Sequence, residues 1–291
     1  MTTTFTLAAD SANPMTVNRL GYGGMQLTGA GIWDMPEDID NAVAVLKAAV
    51  GAGVDFIDTA DSYGPHTNEV LIKNALHPYD GVTIATKGGL LRTGPGAWHP
   101  CGRPDYLRQC VELSMRRLGV DRIDLWQLHR VDTTIPAQEQ FEVIAQMQQE
   151  GKILHVGLSE VDVPTLQTAQ TFMSIVSVQN LYNVLNRQSE AVLDYCEQNG
   201  IGFIPWFPLG SRRLTDADIA EDRSGFDTIA RIAAEHDATS AQVALEWLLQ
   251  RSPVMIPIPG TKSLSHLADN MGAAQLTLSE SAVAELAALA S

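Results

Sequence analysis

Residues 54–58 read VDFID, residues 82–87 VTIATK and residues 123–129 IDLWQLH. Each is a short β-rich run that ends in a polar, chemically capable side chain: Asp58 (with Tyr63 just beyond it), Lys87 and His129. HVGLSE (155–160), SIVSVQN (174–180), GFIPWFPLG (202–210) and VMIPIPGTK (254–262) repeat the pattern further on, among eight such runs. Between them lie stretches of helical periodicity. Ile39, Ala42, Val43, Leu46 and Val50 are spaced for one helix face, and Gly51 and Gly53 close that segment. Helices follow at NEVLIKNAL, DYLRQCVELSMRRLG and PAQEQFEVIAQMQQEG, then at about 162–172, 187–199, 226–236 and 240–251. Strand and helix in alternation imply right-handed parallel crossovers. A closed (β/α)8 barrel would bring the strand ends to one rim, where such barrels carry their chemistry.

The competing architecture is a doubly wound open sheet, which would want a G-x-G-x-x-G turn between an early strand and a helix. LGYGGMQ (20–26) has glycines, but the spacing is wrong and no helix follows directly. The sequence therefore predicts an α/β TIM barrel forming a single domain over residues 1–291, with an N-terminal hairpin at about 5–17 closing the barrel floor and C-terminal helices at about 264–289. The longer connections, Gly88 to Arg103 and Gly210 to Ser224, follow strands and are expected as rim loops.

The chain has 291 residues, 45% hydrophobic and 18% charged, with a formal net charge of −15. That balance argues against a nucleic-acid partner, because phosphate backbones need clustered Lys and Arg. It also makes any local cation more informative. No apolar run is long enough to span a membrane, and no signal peptide is visible. Cys101, Cys110 and Cys196 have no metal or disulfide spacing, so they read as free thiols in a reducing cytoplasm. No metal site is expected, nothing looks like an added partner-binding tail, and a monomer is one expectation among the assembly states that the sequence leaves open.

Asp58, Tyr63, Lys87 and His129 form a set suited to carbonyl reduction. A phenol with a pKa of about 10 is a sluggish proton donor. A neighbouring ammonium, Lys87, would lower that value, with Asp58 holding the ammonium and His129 orienting the carbonyl oxygen or relaying a proton. Each residue taken singly has an ordinary explanation: a loop cap, packing with a wet hydroxyl, a rim charge, a satisfied histidine. Their joint placement after successive strands does not.

GYGGMQL (21–27), FIDTADSYGPHTNE (56–69), TIATKGG (83–89), LSMRRLGVDRIDLWQLH (113–129), GLSE (157–160), SVQNLYN (177–183), FPLG (207–210) and IPGTK (258–262) resemble the aldo-keto reductase superfamily, in the family's order from about Arg19 to Asn270. YGPHTNE, IPWFPLG and LLQRSPVMIPIPGTKSLSHLADNM are most similar to its bacterial pyridoxal reductase-like members. The resemblance implies a TIM barrel, a catalytic tetrad at Asp58, Tyr63, Lys87 and His129, and NADPH in preference to NADH. It implies carboxamide contacts at Ser159 and Gln179, a stacking aromatic at Trp206 beside Phe207, and a pyrophosphate loop at Leu209, Gly210 and Ser211. Gly24 and Met25 would line the cofactor groove. Gly260, Thr261, Lys262, Ser263, His266, Asp269 and Asn270 would hold the adenosine-phosphate end, with Lys262 on the 2′-phosphate. Glu160 departs from the family's frequent Asn; it can accept from an amide but cannot donate. Trp33 and Trp98 would wall a pocket for a small carbonyl substrate, pyridoxal being one candidate. The rival within the same fold is a cofactor-reading regulatory subunit that does not turn over.

Overall fold

Strands buried on both faces need near-continuous apolar sequence, and in this chain they lie side by side and parallel. The computed structural model describes residues 4–210, 214–215 and 223–289. In chain order it contains β1 (Thr4–Leu7), β2 (Met15–Asn18), β3 (Tyr22–Gly23), α1 (Ile39–Gly51), β4 (Phe56–Asp58), α2 (Thr67–Leu76), β5 (Thr83–Gly88), β6 (Leu90–Gly94), β7 (Ala97–Pro100), α3 (Pro104–Leu118) and β8 (Ile123–Leu128). It continues with α4 (Ala137–Gln149), β9 (Ile153–Ser159), α5 (Val163–Gln170), β10 (Ile175–Leu181), α6 (Glu190–Gln198), β11 (Gly202–Trp206), α7 (Arg223–Glu235), α8 (Ser240–Arg251), α9 (Leu264–Gly272) and α10 (Glu280–Ala287). The main sheet runs β11-β10-β9-β8-β5-β4-β3, all parallel. Among the described residues no helix is long and apolar enough to cross a membrane.

Alternation along each strand sorts side chains to two sides. Ile57, Ile84, Trp126, Leu128, Val156, Leu158 and Val178 pack outward with the helices. Phe56, Ala85, Leu125, Val176, Ile204, Ile256 and Ile258 form an inner cluster, which the β1–β2 hairpin completes with Leu7 and Val17. Leu7 is fully buried and lies so near Gly202, the first residue of β11, that a Cβ there would come within 2.6 Å of it. The hairpin therefore stoppers the end of the barrel away from the strand ends that carry Asp58, Lys87 and His129.

The last run, VMIPIPGTK, is not a regular strand. Pro257 and Pro259 lack N–H groups, so a continuous ladder cannot form. The segment is extended and closes the barrel with isolated bonds: Phe203 N to Val254 O (2.8 Å), Ile256 N to Phe203 O (2.8 Å) and Gly21 N to Pro257 O (3.0 Å). Gly23 and Gly260 allow the close approach, since a Cβ on Gly260 would sit 2.5 Å from Gly23 O. Arg19 ties the seam to α8, its buried guanidinium group donating to Met255 O (3.1 Å), Leu249 O (2.6 Å) and Ser252 O (2.5 Å).

The connection expected as a rim loop from Gly88 to Arg103 instead contains the β6–β7 antiparallel hairpin, turning at Pro95 and Gly96. Most of the Gly210–Ser224 connection lies outside the described residues. Polar caps set the helix starts. Asp38 accepts from Asn41 N at α1, Thr239 and Gln242 form a capping box at α8, and Ser263 accepts from His266 N at α9.

Because Arg19 satisfies three buried carbonyls at the seam, Arg19→Met should destabilise the fold by about 3–5 kcal/mol, the range for breaking a buried charged hydrogen-bond group. Urea unfolding of the two proteins measures it. A loss below 1 kcal/mol would show that the seam does not depend on this residue.

Candidate active site

Lys87 is fully buried in β5, so its ammonium must find partners inside the barrel. It finds three: Asp58 Oδ2 at 2.6 Å, Thr59 O at 2.8 Å and Tyr63 Oη at 3.3 Å. Burial opposes its charge most strongly, but Asp58 and the Tyr63 oxygen together more than offset it, and its pKa lies above the ordinary lysine value. Asp58 ends β4. Its second oxygen, Oδ1, accepts from Gln179 Nε2 (2.8 Å) and Gln127 Nε2 (3.2 Å). Gln127 is supported in turn by Ser177 Oγ at 3.5 Å. Gly157 leaves room for that pair, since a Cβ there would lie 2.2 Å from Ser177 Oγ.

Tyr63 sits five residues past Asp58, buried in the turn before α2. Its ring meets His129 edge-on at 5.8 Å between centroids and Trp98 at 6.5 Å. Lys87 acts on its pKa in the expected direction, but the expected net lowering is corrected here. Burial raises it most, Lys87 pulls it down, Asp58 pushes it up, and the net shift is upward. The phenol is therefore protonated at rest. Burial, with the positive charges of Lys87, Arg130 and Arg92, drives the His129 pKa well below the usual imidazole value. A neutral His129 has one donor and one acceptor nitrogen. Its Nδ1 lies 3.2 Å from Ser62 Oγ, and if Ser62 donates there, Nε2 carries the proton toward the rim.

The remaining rim residues are tied into the frame. Ser159 Oγ accepts from Arg130 Nη1 at 3.0 Å. Glu160, at a positive φ of 55°, accepts from Leu181 N (2.7 Å) and Trp206 Nε1 (2.6 Å), so its carboxylate positions the Trp206 indole. Phe207 packs against Trp206 at 4.5 Å between centroids, and its carbonyl accepts from Asn183 Nδ2 (3.1 Å) and Gly210 N (2.9 Å). Leu209 is half-buried beside them; Ser211 lies outside the described residues. Gly24 is buried, with its carbonyl on Asn68 Nδ2 (3.0 Å), and Met25 is half-buried next to it.

Across the seam, Tyr22 Oη donates to Thr261 O (2.5 Å) and Asn41 Nδ2 to Lys262 O (2.9 Å). Lys262 and His266 are exposed around the first turn of α9, with Ser263 capping it, Asp269 half-buried and Asn270 buried. Trp33 and Trp98 flank Arg92, whose guanidinium lies 5.5 Å and 3.6 Å from their ring centroids. Arg92 also donates to Ile32 O, Ser62 O, Gly31 O and Ala97 O, fastening the β6–β7 hairpin over the rim.

Arg92, Arg130, Gln127 and Asp61 escaped the sequence reading. Gln127 was within reach: it is two residues before His129 on β8, so both face inward. The arginines carried no such signal, because most of their bonds go to backbone carbonyls, which every residue has.

Asp61 is buried, and its Oδ1 lacks a hydrogen-bond partner among the described residues. Burial first, and the Glu69 charge second, push its carboxyl up to about 7, against smaller opposing effects of the Cys110 thiol and Arg117. The native state then holds a proton that the unfolded state releases above its ordinary value of 3.8. Native stability is lost as pH rises between the two values. Asp61→Asn should therefore gain stability over wild type progressively from pH 4 to 7, and the gain should level off above that. A pH-independent difference in urea unfolding would contradict it.

Residues 19–291 match the model of the aldo/keto reductase family. An uncharacterised oxidoreductase of Schizosaccharomyces pombe is 53% identical over 272 residues, covering 94% of this chain and 86% of the relative. Pyridoxine 4-dehydrogenase of Escherichia coli is 41% identical over 290 residues, covering 97% and 96%. An aldo-keto reductase of Klebsiella pneumoniae, solved in complex with NADPH, superposes with a TM-score of 0.77 at 27% identity, covering 93% and 90%. A (β/α)8 barrel with this rim and these relatives has one reading: the chain belongs to the aldo/keto reductase family of oxidoreductases.

Proposed function

We propose that this protein reduces small aldehydes and ketones with NADPH, and that Tyr63 protonates the carbonyl oxygen as hydride reaches the carbon. The observation that carries this reading is the buried Lys87 ammonium, shared between Asp58 and the Tyr63 hydroxyl at the rim. The bound nicotinamide would supply the hydride. Tyr63 would hold its proton on Oη in the resting site, since burial keeps the phenol from ionising. As the substrate oxygen takes that proton, negative charge arises on Tyr63 Oη, 3.3 Å from Lys87 Nζ. The ammonium thus acts mainly on the charge that develops during reaction and little on the ground state, which is where catalytic benefit lies. Asp58 fixes the ammonium, and neutral His129 would donate to the same carbonyl oxygen.

The cofactor reading is supported by the donor set. Trp206 is held at the rim by Glu160, as a stacking partner for a nicotinamide would need to be. Lys262 has no side-chain acceptor among the described residues and stands just before α9, where backbone N–H groups and the helix dipole favour an anion. Gln179 would have to release Asp58 Oδ1 to reach a carboxamide, leaving Gln127 and Lys87 to hold that carboxylate. Pyridoxal is a candidate substrate, on the 41% identity with pyridoxine 4-dehydrogenase.

Two substitutions test this. Tyr63→Phe keeps the ring and removes the proton, so NADPH affinity should hold while single-turnover hydride transfer falls roughly a hundred- to ten-thousandfold. An unchanged transfer rate would remove Tyr63 from the chemistry. Lys262→Ala should weaken NADPH binding by about 1–3 kcal/mol and leave NADH nearly unaffected, with fluorescence titration as the measure. Equal losses for both cofactors would mean that Lys262 only supports its loop.

A further inference from the structure

Arg130 belongs to no motif, yet it follows His129 directly and is half-buried at the rim. Two of its N–H groups, both on Nη1, are spent on His129 O (2.6 Å) and Ser159 Oγ (3.0 Å). These bonds hold the guanidinium group in place. Its charge lies close enough to Tyr63 and His129 to bias the titration of both. A guanidinium group has five N–H donors. The three on Nε and Nη2 have no acceptor among the described residues, and neither nitrogen is a buried orphan. Glu160, whose charge acts on Arg130, already uses one oxygen on Leu181 N and Trp206 Nε1.

The placement matters because Tyr63 and His129 are the groups that would grip the reacting oxygen. In a chain of net charge −15, an anionic substrate meets a repulsive field until it reaches a local cation. We propose that Arg130 is a substrate-selecting residue that donates to a second, anionic or acceptor oxygen adjacent to the reacting carbonyl. The favoured substrates are then aldehydes and ketones with a phenolate, carboxylate or second carbonyl oxygen next to the reduced centre. This rests on the reductase reading above and narrows its substrate class. The two oxygens are held on separate donors: the first by Tyr63 and His129, where it gains its proton, and the second by Arg130. Such two-point contact fixes which face of the carbonyl meets the hydride donor. The guanidinium fork suits a planar pair of oxygens better than an ammonium would.

The test compares 2-hydroxybenzaldehyde with 4-hydroxybenzaldehyde, at a pH where both are phenolates. The two share the same conjugated donor, but only the ortho oxygen can reach Arg130. kcat/KM is measured with NADPH for wild type, Arg130→Lys and Arg130→Met, together with NADPH Kd. Wild type should favour the ortho isomer roughly ten- to hundredfold, the scale of a charge-assisted hydrogen bond. Arg130→Met should bring the ratio to within about threefold of one, and Arg130→Lys should keep an intermediate ratio as a point charge. A ratio unchanged in Arg130→Met would overturn the inference and leave Arg130 as a support for Ser159 and the His129 carbonyl. Weaker NADPH binding with the ratio intact would assign the residue to the cofactor and also overturn it. Reduction of both isomers by wild type without preference would sink the inference while the reductase reading stands. Reduction of neither isomer, nor of benzaldehyde, would sink both. The wild-type ratio decides the matter even if Arg130→Met fails to fold.

Discussion

An ammonium and a carboxylate, both removed from water, sit at the mouth of this barrel, and the rest of the interior is arranged around that fact. Desolvating two such charges is costly, and removing one partner alone typically costs about 3–5 kcal/mol. The chain meets the cost with further donors and acceptors. Gln127 and Gln179 cover the free carboxylate oxygen, Thr59 O takes another ammonium hydrogen, and Tyr63 lies within reach of the same nitrogen. Below this polar layer, the apolar cluster from Leu7 to Ile258 keeps water out. The two layers depend on each other. Without the apolar floor the ion pair would be screened, and without the amide layer the pair would be too costly to bury.

Much of this was legible from the sequence because strand parity and strand ends are strong signals. A residue that ends an apolar run in a parallel barrel must emerge at the rim, which is how Asp58, Lys87 and His129 declared themselves. The same parity places Gln127 inward, two residues before His129, although the family motif does not draw attention to it. A β-bulge in β10, where the register shifts between Ile175 and Ser177, is harder to read. It lets Val176 join the inner apolar cluster while Ser177 and Gln179 still reach the polar layer.

What the sequence hid has a common physical form. The β6–β7 hairpin is held down by Arg92 through backbone carbonyls in other loops, and carbonyl acceptors exist at every position, so no residue pattern announces them. The direction of the Tyr63 shift was misread because a sequence shows which charges are neighbours but not how much water is excluded; here exclusion outweighs the cation. Glu160 looked like a weakened cofactor contact. The structure gives it a different task, bridging the ends of β9, β10 and β11 through Leu181 N and Trp206 Nε1. Both donors share the one oxygen, Oε1, so a single atom joins the three strand ends.

The proline-interrupted seam between β11 and β3 makes the barrel mechanically uneven. Seven strands are joined by ladders, but the eighth span has a few isolated bonds and the Arg19 guanidinium. Local opening of a fold follows its least bonded lines, so the amides of Gly21, Phe203 and Ile256 lie on the hinge line of the cylinder. That line runs directly into Gly260–Ser263, the stretch beside α9. The barrel can therefore loosen along one longitudinal crack while the ion pair, held within the laddered strands β4 and β5, keeps its geometry. A closed cylinder with a built-in slit separates the part that must yield from the part that must stay still.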